Sequence, residues 1–153
     1  MGGVLVIGYG NPGRQDDGLG PALAAALEEL GLEGVTVDSD YQLTVEDAAL
    51  VARHDAVVFA DAHVSCTAPF EVRRLHPGAT DSFSTHHVSP EAVLALAREL
   101  FGGEPRAFAL GIRGYEFDGF GEVLSEAAQA NLERALEFLV PRLHNPVTLE
   151  EEG

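Results

Sequence analysis

Val4-Leu5-Val6-Ile7-Gly8-Tyr9-Gly10-Asn11-Pro12-Gly13, running on through Arg14-Gln15-Asp16-Asp17-Gly18-Leu19-Gly20-Pro21, decides the fold. Its first four residues are a continuous apolar run ended at once by glycine, the pattern of a strand buried on both faces that enters a sharp turn. Pro21 then stands where a first helical residue is favoured, and Leu23, Leu27 and Leu30 recur at helical spacing until Gly31 stops the run. A buried strand leading into a helix is the unit from which parallel α/β sheets are built.

The unit recurs along the chain. Val35 to Asp40 reads as a second strand, followed by a helix that starts at a capping-box-like Thr44 and Asp47 and ends near Arg53. Ala56 to Asp61 is a third strand, and Arg106 to Ile112 the last core strand. Phe70 to Leu75 alternates apolar and polar residues, which suits a half-exposed edge strand of antiparallel sense. Ser89-Pro90-Glu91 opens a helix with Val93, Leu96, Ala97 and Leu100 on one face, closed by Gly102-Gly103. After a glycine-rich loop from Arg113 to Gly121, the stripe Ala128, Leu132, Leu136, Leu139 and Leu143 marks a long helix that breaks near Pro141. The expectation is one α/β domain over residues 1–145. It is a three-layer sandwich with a mostly parallel five-stranded sheet, helices on both faces and one antiparallel edge strand. Residues 146–153 carry three consecutive glutamates and are expected to be a disordered tail with little to bury.

The chain has 153 residues, enough for one domain and too few for two ordinary ones, and its 46% hydrophobic content fits a globular core. Nine basic residues against twenty-five acidic ones give a formal charge of −16, a field that repels phosphate backbones and anionic headgroups. Neither nucleic acid nor a membrane is an expected partner. The N-terminal apolar run lacks a preceding basic region and the length of a bilayer span, and the single cysteine, Cys66, points to a reducing compartment. The expected location is the cytoplasm and the expected state a monomer. A lone cysteine without a placed base is read as packing.

Gly8-Tyr9-Gly10-Asn11-Pro12-Gly13 is literally GxGxxG after a strand, the outline of a dinucleotide fingerprint. Asp16 and Asp17 argue against that ligand, because they lie where a diphosphate would sit and suit a cation instead. The acidic residue that should follow about twenty positions on is also misplaced, at Asp38. Asp61 closes a strand, and ligands of open α/β sheets gather beyond the carboxyl ends of strands. If the first and third strands are neighbours, Asp17 and Asp61 share a crevice. On its own, an aspartate after a strand is as readily a turn cap. His86 and His87, in the loop ahead of Pro90, could add an imidazole, and His63 is a substitute. Two carboxylates and an imidazole suit a borderline divalent ion such as zinc or nickel. There is no HExxH helix, GxSxG elbow or P-loop.

Together these residues resemble the endopeptidases that complete maturation of nickel-iron hydrogenase large subunits. Gly8-Tyr9-Gly10-Asn11 with Asp16-Asp17-Gly18-Leu19-Gly20-Pro21 is similar to that family's opening signature. Phe59-Ala60-Asp61-Ala62 is similar to its second acidic motif, and Ser84-Thr85-His86 to its histidine motif. The resemblance implies that Asp17, Asp61 and His86 are both the metal-binding and the catalytic residues. The metal would be nickel carried by the substrate, with zinc or another divalent ion able to replace it in vitro, and Asp16 an accessory carboxylate. The implied reaction removes a short C-terminal extension from the large-subunit precursor once nickel is in place. Gln42-Leu43-Thr44, Glu46, Asp47 and the Gly119 to Ser125 loop resemble the subgroup serving cytoplasmic bidirectional hydrogenases. Asp38-Ser39-Asp40-Tyr41-Gln42 departs from the family's aspartate-glycine-glycine turn, in a loop placed to touch substrate. The doubled His86-His87 leaves the ligand open by one position.

Two rivals stand beside this reading. A peptidyl-tRNA hydrolase shares the strand-glycine-asparagine-proline-glycine opening, but an RNA-binding enzyme needs the basic footprint this chain lacks. A non-catalytic metal-binding or chaperone module could carry the same site without cutting anything.

Overall fold

The computed structural model describes residues 2–78 and 88–151. Five strands form one sheet: β1 (Val4–Tyr9), β2 (Val35–Asp40), β3 (Ala56–His63), β4 (Phe70–Leu75) and β5 (Arg106–Arg113), in the order β2-β1-β3-β5-β4. All neighbouring pairs are parallel except β4 with β5, so the alternating Phe70–Leu75 segment is the antiparallel edge strand its pattern predicts. The apolar runs locate the strands, and β1, β3 and β5 continue beyond them to Tyr9, His63 and Arg113.

The strand pleat sorts the core into two layers. Val4, Val6, Val58, Ala60, Leu110 and Ile112 face one side, where α1 (Leu19–Leu30) and α4 (Glu126–Leu139) bring Leu19, Leu23, Leu27, Leu132 and Leu139. Leu5, Ile7, Val57 and Phe59 face the other, against α2 (Asp47–Ala52) and α3 (Pro90–Phe101) with Ala48, Val51, Val93 and Ala97. Burial on both faces explains why the central strands read as unbroken apolar runs.

Not every predicted helix contact forms. Leu30 and Leu100 are 56% and 66% exposed, because each stands in the last turn of its helix, beside a left-handed glycine cap at the surface. Only half of the capping box at α2 is made. Asp47 accepts from the Thr44 backbone N–H at 2.9 Å and also from its hydroxyl, which faces the carboxylate instead of capping a backbone amide. The helix therefore begins at Asp47.

The expected disordered tail is corrected as far as the described residues reach. Pro146–Glu151 is a 3-10 helix, and its Leu149 is 1% exposed within the α1/α4 layer. One leucine among glutamates is enough to fasten the segment, so the packed chain runs past residue 145. Residues 152 and 153 lie outside the described residues.

Two glycines let α1 approach the sheet closely. A Cβ on Gly8 would overlap the Gly20 carbonyl oxygen. A Cβ on Gly20 would overlap that of Tyr9 and lie 2.7 Å from that of Ala60. Gly20→Ala therefore forces backbone apart where β1, β3 and α1 meet. We expect a loss of about 3 kcal/mol, seen as a lower urea midpoint. An unchanged midpoint would mean that α1 can lift from the sheet without cost.

Candidate active site

β1 and β3 run side by side only as far as Gly8 and Ala60. Beyond that, β1 turns away at Gly10, whose φ of +140° is a conformation glycine tolerates, while β3 continues through Asp61 paired to β5. The parting of the two strands opens the crevice at their carboxyl ends, where Asp61 stands half-buried. The turn returns Asp17 to the same rim, on a short 3-10 helix (Gln15–Gly18) that leads into α1. Asp17 Oδ2 accepts from the Asn11 N–H at 3.0 Å, which fixes the carboxylate over the turn.

Electrostatics ties the two acids together. Burial first, and then the negative charge of Asp17, push the Asp61 carboxyl up to about 7, against the opposing hydrogen bond from the Ala62 N–H at 2.8 Å. Tyr9, on the same pleat face as Ile7, has its phenol raised by burial and then by the charges of Asp61 and Glu91. It lines a depression of about 130 Å³ with Asp61, His63, Glu71, Arg73 and Gly111. Tyr9 was not singled out in the sequence because it reads as a turn residue. The period-two continuation of β1 is the signal that places it beside Asp61.

Asp16 is not the accessory carboxylate the resemblance implies. It is fully buried and accepts four hydrogen bonds from the far end of the chain. Its Oδ2 accepts from the N–H groups of Tyr115 at 2.8 Å and Glu116 at 2.9 Å and from the Ser125 hydroxyl at 2.8 Å, and its Oδ1 from the Ser125 N–H at 2.8 Å. Burial raises its carboxyl, but these bonds outweigh burial and leave it below the usual range. Ser125 in turn caps α4 by accepting from the Ala128 N–H. Adjacent aspartates thus divide their work, Asp16 building the loop and Asp17 holding the Asn11 amide while its charge reaches Asp61.

His63 is already engaged. Its Nδ1 accepts from the N–H groups of Ser65 and Cys66 at 3.1 and 2.9 Å, and its Nε2 lies 3.4 Å from a Glu71 carboxylate oxygen. Cys66 is buried, as the packing reading expects, and burial raises its thiol. His86 and His87 lie outside the described residues. They precede α3 in the sequence, and the first residue of that helix, Pro90, lines the depression beside Asp61. Among the described residues no group of three or more His, Cys, Asp or Glu side chains could hold a metal ion.

No family model matches the sequence, and no curated protein does. Solved structures do. The chain is similar to the NiFe hydrogenase maturation protease HycI of Thermococcus kodakarensis, with 25% identity, a TM-score of 0.71, and 94% of this chain and 93% of that one covered. The hydrogenase maturating endopeptidase HybD of E. coli matches with the same identity, TM-score and coverage. The chain has the fold of the hydrogenase maturation proteases. It is a hydrolase of the endopeptidase class. A third match, a hydrogenase 2 maturation peptidase from a Thaumarchaeota archaeon, has 23% identity and a TM-score of 0.68 over 93% of this chain. Among the described residues of the protease, no helix is long and apolar enough to cross a membrane.

Because the Asp17 charge helps to raise Asp61, Asp17→Asn should shift the Asp61 titration in the maturation protease to lower pH, measured by carboxyl carbon NMR on the metal-free protein. An unmoved titration would show that the two carboxylates do not share one crevice.

Proposed function

We propose that this protease removes the C-terminal extension of a nickel-iron hydrogenase large-subunit precursor in the cytoplasm, after nickel insertion. It recognises the bound nickel through Asp17, Asp61 and His86. The observation that carries the reading is the half-buried Asp61 facing the like charge of Asp17 at the strand ends. Two carboxylates held together in a crevice repel one another, and a divalent cation lying between them relieves that repulsion. Nickel accepts oxygen and imidazole ligands together, so a histidine from the loop ahead of α3 would complete a mixed set. The ion is substrate, carried by the precursor, and its role is to dock the enzyme at a finished metal site. The carboxylates hold and orient the precursor, and the crevice walls of Tyr9 and Gly111 bound the space beside it.

The test mixes the purified protease with the large-subunit precursor from the same genome, with and without nickel, and follows the precursor's mass. Loss of a C-terminal peptide only when nickel is present supports the reading. An unchanged mass with nickel-loaded precursor, while the protein still binds nickel, would replace it with a metal-binding module that cuts nothing.

A further inference from the structure

We infer that the loop of residues 114–125 is the face on which the protease docks its precursor, and that it takes a surface combining an apolar pocket with lysine or arginine side chains. The inference rests on the function proposed above. Phe120 is 91% exposed and Val123 76%, two large apolar side chains held in water within a dozen residues. Exposed Glu116, Asp118 and Glu122 interleave with them. Exposed apolar anchors interleaved along one loop with side chains of a single charge have the composition of an interface core and its rim.

The loop is built to present them. Gly121 pairs as a parallel bridge with Arg14, donating its N–H to the Gly13 carbonyl at 2.8 Å and accepting from the Gln15 N–H at 3.0 Å. The Gly119 N–H donates to Gln15 Oε1 at 2.9 Å, and Arg14 Nη2 donates to the Phe117 carbonyl at 2.9 Å. Among the described residues, Gln15 is the non-glycine residue with positive φ, 53°. A loop fixed in this way loses little freedom on binding. Its anchors are stapled to the turn that carries Asp17, so an occupant seated on Phe120 borders the crevice as well. Tyr115 is used differently, since its hydroxyl accepts from Asn131 and the Arg113 guanidinium lies 4.8 Å over its ring.

Charge selects the occupant. A second copy of this chain would bring an equally acidic loop and a formal charge of −16 against this one, and an anionic membrane would be repelled as strongly. A basic-rimmed protein surface is attracted, and the protein this enzyme must hold is its precursor.

The experiment measures association of nickel-loaded precursor with immobilised full-length protease at low and high salt. It uses the wild type, Phe120→Ser with Val123→Ser, and Glu116→Lys with Asp118→Lys and Glu122→Lys. The apolar pair should weaken binding about 30-fold, mainly by faster dissociation. The charge variant should associate about tenfold more slowly at low salt and lose most of the salt dependence. Both should keep the wild-type thermal midpoint. Wild-type binding and cleavage by both variants would overturn the docking face and leave the proposed function standing. A wild-type protein that neither binds nor trims the precursor would overturn both. Concentration-dependent self-association of the wild type, abolished by Phe120→Ser, would assign the patch to a second copy instead.

Discussion

Asp17→Ala and Asp61→Ala are each expected to reduce precursor processing by more than about 100-fold, since even partners that merely orient a metal ligand commonly cost 10–100-fold, while leaving the protein folded. Among the described residues Asp17 accepts a single hydrogen bond, from the part-buried Asn11 N–H, whose loss costs about 1 kcal/mol. Asp61 has a raised carboxyl, so folding disfavours its charged form. For an acid raised in the folded state, folding binds extra protons between the ordinary carboxylate range and about 7. Stability therefore falls as pH rises through that window. Asp61→Asn removes this penalty and should be more stable than the wild type at pH 8, with the two converging near pH 4. Processing is read from precursor mass and folding from thermal melts. Lost folding in both variants would make these residues caps, not ligands. At the histidine pair, His86→Ala should impair nickel-dependent processing more than His87→Ala, and the reverse order would move the ligand by one residue.

The opposite behaviour is expected at Asp16. Asp16→Ala withdraws the shared acceptor of Tyr115, Glu116 and Ser125 and strands buried donors, a loss of roughly 3–5 kcal/mol. For a domain of this size that lowers the melting temperature by roughly 10 °C. Asn rescues little, because every partner of the carboxylate donates to it and the amide nitrogen would point a donor at a donor. The Asp16 carboxyl is depressed, so its contribution is fully present above the ordinary carboxylate range and disappears as pH falls through its folded value. The gap between wild type and Asp16→Ala should accordingly close in acid. Processing falls as well, because the turn bearing Asp17 loses its anchor. A variant with the wild-type melting temperature and no activity would return Asp16 to the catalytic crevice.

The contrast between these neighbours marks the limit of sequence reading here. The strand and helix order and the antiparallel edge follow from apolar runs and local punctuation, which act over a few residues, whereas the adjacency of β1 and β3 is a pairing over about fifty residues that the sequence left as a condition. The placement of Asp17 beyond β1 also follows from local punctuation, but Asp61, read as closing its strand, lies within β3, which stays paired with β5 as far as His63. What separates Asp16 from Asp17 is a set of partners about a hundred residues away, and no local pattern announces them. Leu149 was illegible for a related reason, as its tertiary contact outweighs the polar composition around it. His63 looked available because its sequence context hides the two amides that occupy its ring nitrogen.

The strand order also dictates when the protein can come into being. β4 is made before β5 but sits outside it, so neither β4 nor the far edge of β3 has its partner until residues 106–113 leave the ribosome. The hydrogen bonds that hold the Asp16 turn wait longer still, for Ser125. A nascent chain therefore carries Asp61 on an open strand edge for much of its synthesis, a state prone to mispairing. Crevice and fold are therefore completed in the same late step, once Ser125 has reached Asp16.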